Sequence, residues 1–259
     1  MCSKKANVPL EAVDAQVSFS KGLVSPPRSP CDSEGTESTL YVFSDADTGE
    51  DSQSHFTLRN GIRAFAVCSI LFFVWLVLRH DSMSWRTLFF YHPLFMMIGF
   101  VGVLPELAHT IAVFLGRAQS HQSFGDVLNM HRKYALLLKV VCALGIVVIE
   151  WNKFSKYKRH FKSWHGIIGG VCEFTMILET IIGLSMYYNV ANRYLNGPQL
   201  TKLVRIHRYL GFVMMLTGTI SMSLGMFTHF ATKVCGSLPV QLVFAIIPFI
   251  VSLCPFFGL

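Results

Sequence analysis

Of the chain's 259 residues, 52% are apolar and only 14% charged, and a mean hydropathy of +0.47 excludes an ordinary soluble domain in favour of an integral membrane protein. The net charge of +7 does not point to nucleic acid, because Lys and Arg stand in short groups between apolar runs and form no continuous basic face. Anionic lipid headgroups or small anionic solutes are the expected partners.

Residues 1–57 contain "SPPRSPCDSEGTES" and "SDADTGEDSQS", with too little apolar surface to offset the entropy of ordering, and are expected to form a disordered cytosolic tail. The opening "MCSKKANVPLEAVDAQ" lacks the apolar core of a secretory signal, so the first membrane helix is expected to direct insertion and leave the N-terminus cytosolic.

Residues 58–259 form the membrane domain. A bilayer core of about 30 Å needs roughly 20 apolar residues per helix, and six runs approach that length, centred on 62–79, 87–115, 134–151, 164–188, 208–229 and 238–258. The fold class is therefore an all-α integral membrane protein with six transmembrane helices. The basic residues that flank the six runs divide nine to eight between the two sides, so the positive-inside rule does not choose an orientation.

Four histidines stand near the starts of successive helices: His92, His131, His165 and His207. Consecutive helices run in opposite directions, so His92 and His165 share the non-cytosolic half of the membrane, and His131 and His207 share the cytosolic half. Two facing histidines in each half of a central four-helix bundle suit the axial positions of one planar haem apiece, giving two haems b. The irons would then lie on the order of 20 Å apart.

Gly169 follows His165 by one helical turn, Gly211 follows His207, and Ala135 follows His131; small residues at these positions would leave room for a macrocycle, although helix packing alone also explains them. Met96, at the same offset from His92, breaks the pattern. None of the seven cysteines lies in a CxxC or CxxCH spacing, which excludes a covalent c-type haem and argues against a disulfide framework.

Glu106, Glu173 and Glu179 fall inside apolar runs and are candidates either for proton compensation or for hydrogen-bonded packing. His109 and His229 lie near helix ends, where His229 is a candidate contact for a metal substrate. His55, His80, His121 and His160 read as tail or loop residues. The loop "KFSKYKRHFK" holds five basic residues, suited either to concentrating anionic acceptors or to contacting headgroups.

The ordered set "FYHPLFMMIGF" with Glu106 fourteen places after its His, "HRKYALLLKVVCALGIVV", "KSWHGIIGG", and "LVRIHRYLGF" leading to "SLGMF" resembles the cytochrome b561 family, in particular its shorter transmembrane reductase branch. The resemblance covers about residues 60–258. It implies an ascorbate-dependent oxidoreductase of an endomembrane, vesicle or plasma membrane, carrying electrons from cytosolic ascorbate to monodehydroascorbate or ferric chelates on the other side. His131 and His207 would hold the entry haem, His92 and His165 the exit haem. The resemblance also implies a homodimer, though no dimer face is legible in the residues.

Better-known relatives carry a lysine just before the third-helix histidine to grip ascorbate, whereas this chain has Asp126 and no lysine ahead of His131. Arg132, Lys133 and Arg117 are the candidate substitutes. Two other readings stay open: a proton-coupled transporter using the buried His and Glu residues, which leaves the regular alternation of histidines unexplained, and a haem-binding scaffold without turnover.

Overall fold

The computed structural model describes residues 49–79, 87–118, 120 and 122–257, with side chains from Arg59 onward. The tail expected over residues 1–57 lies outside the described residues as far as 48. From Gly49 the backbone is already helical, so the first helix, α1 (Gly49–Leu78), starts inside the stretch expected as tail.

Helix α2 (Leu88–Phe114) follows. It is α-helical over Leu88–Met97, π-helical over Ile98–Val103 and α-helical again over Leu104–Phe114. The widening immediately precedes Pro105, whose ring would clash with the carbonyl one turn back and which has no N–H to donate. Helix α3 (Phe124–Ser155) begins at Ser123, whose side chain accepts from the Asp126 amide. Ser163 caps α4 (Trp164–Tyr187) in the same way.

After the short α5 (Val190–Tyr194), α6 (Gly197–Gly225) opens with a full capping box between Asn196 and Gln199. It then bends by 62° into α7 (His229–Cys235). Helix α8 (Leu238–Leu253) ends in a 3₁₀ turn, Cys254–Phe257.

Among the described residues five helices are long and apolar enough to cross a membrane alone, and six if the bent pair α6 and α7 counts as one span. The fifth run, expected as an unbroken span over 208–229, instead bends where it ends: Gly225 closes α6, and Thr228 caps a new helix. Among the described residues there is no strand, and the chain is an all-α membrane protein.

Exposed Leu136, Val147, Phe174, Ile181 and Leu216 face outward, as expected where lipid replaces water. Exposed tryptophan and tyrosine side chains gather at the two ends of the bundle, Trp151 and Trp164 at one, beside Phe154, and Tyr187, Tyr188, Tyr194 and Tyr209 at the other. That distribution matches the two interfacial belts of a membrane protein.

The four central helices pack as two hairpins, α2 against α3 and α4 against α6. Between the hairpins backbone contact is sparse. Phe100 bridges them, its ring occupying the space that a side chain at Gly218 would fill.

Candidate redox site between the two hairpins

The sparse contact between hairpins matters because the four histidines meet there. The rings of His92 and His165 lie 6.3 Å apart between centroids, and those of His131 and His207 lie 6.4 Å apart. In each pair one ring comes from each hairpin.

The helix that packs beside each histidine fixes its orientation. Nδ1 of His92 lies 3.0 Å from the carbonyl of Gly145 on α3. Nδ1 of His165 lies 2.8 Å from the carbonyl of Ser221 on α6, while the Ser221 hydroxyl donates back to the His165 carbonyl at 3.1 Å. A carbonyl can only accept, so these two rings carry their proton on Nδ1.

Nδ1 of His131 lies 3.3 Å from Oγ1 of Thr110. That hydroxyl donates its own proton to the Leu107 carbonyl at 2.7 Å, so toward His131 it acts as the acceptor. His207 differs: its Nδ1 is buried without a hydrogen bond of ordinary geometry, and Oε1 of Glu179 stands 3.4 Å away.

With Nδ1 turned into its own hairpin, each imidazole keeps Nε2 uncommitted among the described residues. A metal midway between two such nitrogens, with about 2.0 Å per metal–nitrogen bond and about 1.1 Å from nitrogen to ring centre, places the centroids about 6.2 Å apart. The observed separations of 6.3 and 6.4 Å fit that arrangement. Among the described residues no group of three or more His, Cys, Asp or Glu side chains could hold a metal ion. Two facing imidazoles therefore suit a metal whose remaining ligands arrive with it, as in a planar macrocycle, and not a structural zinc.

The two levels are separated consistently along three helices. Gly145 is fourteen residues past His131, Glu179 fourteen past His165, and Ser221 fourteen past His207, each about 21 Å of helix. Buried Leu138, Cys142, Met214 and Met215 fill the core between them.

Glycines that sequence reasoning passed over seat the rings. A Cβ at Gly225 would sit 3.3 Å from the His165 ring, and one at Gly183 3.4 Å from the His207 ring. Of the small residues expected to make room, Gly211 has no protein atom within 4 Å of where a Cβ would stand, and Ala135 is buried. Gly169 instead receives Ser221, whose hydroxyl would lie 3.1 Å from a Cβ there. That glycine serves the close packing of α4 on α6.

The carboxylates within the apolar runs divide by partner. Glu106 is gripped by Arg59 at 2.8 Å and by Arg63 at 2.6 Å, both from α1. Glu179 pairs with Lys139 of α3 at 2.5 Å. Glu173 has a buried oxygen without a hydrogen-bond partner. Lys139 escapes a reading of the sequence alone; a lone lysine inside the apolar run of α3, with a carboxylate inside the run of α4, is the available signal.

The candidate substrate residues are spread along one end and one turn. Arg132 stacks over the Tyr187 ring at 4.8 Å, while Lys133 and Arg117 are exposed. His229 is exposed at the start of α7, and no cluster of metal ligands among the described residues includes it. In the basic loop, Lys153 and His160 both contact Glu150, and Phe161, at a φ of 52°, folds its ring over Gly170. His160 thus has a specific partner; His80, His121 and the side chain of His55 lie outside the described residues.

No curated protein gives a significant match to the chain. The profile of the eukaryotic cytochrome b561 family matches residues 91–233, from one residue before His92 into α7. A match over more than half the chain, taking in all four histidines, establishes that this protein belongs to the eukaryotic cytochrome b561 family, whose members bind haem b and transfer electrons across membranes.

Proposed function

We propose that the chain carries single electrons through two b-type haems, one between His92 and His165 and one between His131 and His207. Electrons would enter from ascorbate on the cytosolic side, which holds the N-terminus, and leave to monodehydroascorbate or a ferric chelate on the other. The observation that carries this reading is the joining of each histidine pair across the hairpins at 6.3 and 6.4 Å.

Haem held by His92 with His165 and by His131 with His207 would supply reversible one-electron chemistry. The chain's own groups do the rest. Gly145, Ser221 and Thr110 hold three of the imidazoles by Nδ1 and fix the tautomer that presents Nε2. Leu138, Cys142, Met214 and Met215 exclude water from the path between the two levels. Arg117, Arg132 and Lys133 supply positive charge at the His131 end, in place of the lysine that better-known relatives carry. Lys156, Lys158, Arg159 and Lys162, all exposed at the other end, would raise the local concentration of an anionic acceptor.

The test is a reduced-minus-oxidised visible spectrum of purified protein with haem counted per chain, repeated with ascorbate as reductant. About two b-type haems, reduced by ascorbate and lost in part from His92→Ala and His131→Ala, are expected. Colourless protein from haem-replete cells refutes the reading.

A further inference from the structure

The sequence contains a repeat that the structure uses unequally. In α2 and in α4 alike, a glutamate follows the histidine by fourteen residues: His92 and Glu106, His165 and Glu179. In the first hairpin Arg59 and Arg63 hold both oxygens of Glu106, and the facing His131 turns to Thr110, one turn further along, instead. In the second hairpin the glutamate remains level with the facing histidine. Glu179 is 5% exposed, with one oxygen on Lys139 Nζ at 2.5 Å and the other 3.4 Å from Nδ1 of His207.

Three features argue that this is more than a buried ion pair. His207 Nδ1 is a buried ring nitrogen lacking a hydrogen bond of ordinary geometry: the Glu179 backbone carbonyl, the counterpart of the Gly145 and Ser221 carbonyls, is near it without closing a well-formed bond, and the Glu179 carboxylate oxygen stands at 3.4 Å, a few tenths of an ångström beyond hydrogen-bond reach. Gly183, one turn after Glu179, leaves space for the imidazole against α4. The other three histidines face neutral acceptors, two carbonyls and a hydroxyl. A carboxylate is the stronger acceptor, and bonded to the far nitrogen of a ligating imidazole it makes the ligand more basic.

We propose that Lys139 and Glu179 are a positioning pair for His207: Glu179 accepts the Nδ1–H of His207, and Lys139 holds and neutralises that carboxylate within the membrane. The more basic imidazole stabilises the oxidised state of the metal between His131 and His207, lowering its potential below what a neutral acceptor would give. This inference rests on the haem-binding reading above. Lys139 keeps the site electrically balanced, because an unpaired carboxylate at this depth is strongly disfavoured. Arg132 and Arg208, the nearby cations on α3 and α6, are left unaltered by the test.

The experiment is a spectroscopic redox titration of full-length protein, comparing wild type with Lys139→Met/Glu179→Gln. The double variant removes one charge of each sign, so net charge at the site is unchanged and a shift reports the loss of the carboxylate acceptor. One of the two midpoints should rise by at least a tenfold change in the reduction equilibrium, about 59 mV for one electron, while the other stays in place. A haem-replete double variant with both midpoints at their wild-type values overturns the proposal.

If the double variant loses haem, Glu179→Asp decides, since it keeps both charges but draws the carboxylate back from His207. A raised midpoint supports the pair, and an unchanged one overturns it. Failure of the underlying reading looks different: wild-type protein without haem, or haem unaffected by His131→Ala and His207→Ala.

Discussion

Gly211 offers the most direct test of what lies between the hairpins, because no protein atom would touch a Cβ placed there. It sits one turn beyond His207 on α6, with nothing within 4 Å of an added Cβ. From the protein alone, replacing it should be harmless, since a mid-helix glycine costs about 0.8–1.0 kcal/mol relative to alanine. If a macrocycle lies against that backbone, the same change becomes an overpacking substitution costing about 1–3 kcal/mol. At about 1.4 kcal/mol per factor of ten, Gly211→Leu should weaken haem binding at the His131 and His207 pair by about 5- to 150-fold. The assay is haem per chain in purified protein, with thermal unfolding followed alongside. Haem should fall from about two towards one per chain in the leucine variant, with a smaller loss in Gly211→Ala and the helical content kept. A leucine variant that retains both haems with the wild-type spectrum refutes the placement.

Gly225→Val should act on the other pair: even its Cβ would stand 3.3 Å from the His165 ring, and seating the larger side chain breaks the 2.8 Å bond to Ser221. Haem loss confined to one of two spectral components is expected, at about 10- to 100-fold in affinity. Lys139→Met alone should destabilise the protein by about 3–5 kcal/mol, since it strands Glu179 without its cation, and thermal unfolding should rank it below the double variant with Glu179→Gln. Electron delivery to a ferric chelate should slow as ionic strength rises through about 0.1 M, where the Debye length falls to about 10 Å; a rate indifferent to salt would remove the basic loop from the mechanism.

The pairing of the histidines is legible in the sequence because it needs only helix direction. Four histidines near the starts of consecutive spans must alternate between membrane faces, and the structure joins His92 to His165 and His131 to His207. What orients each ring is not legible, because the acceptor lies on a neighbouring helix at a register set by packing. Gly145, Thr110 and Ser221 carry no mark of that role in the chain itself. Gly169 stands one turn from His165 along its own helix, but its surroundings are set by Ser221 on another. The π-helical stretch in α2 has its signal in Pro105, yet a proline alone does not distinguish a kink from a widened turn. The bend after α6 likewise depends on Thr228 starting a new helix where hydropathy alone continues.

Each imidazole has two nitrogens, and this architecture assigns them to different levels of organisation. Nδ1 belongs to the hairpin in which the histidine resides, whereas Nε2 is left for the opposite hairpin. A hairpin therefore turns one nitrogen of each ring inward and presents the other as a half-site, while the Lys139–Glu179 pair and Phe100 against Gly218 already tie the two hairpins directly. Cutting the connection between α3 and α4 in the exposed stretch around Lys158 should consequently leave two fragments that stay associated through these contacts and the core shared by α1, α2, α7 and α8, with co-purification tightened when haem is supplied.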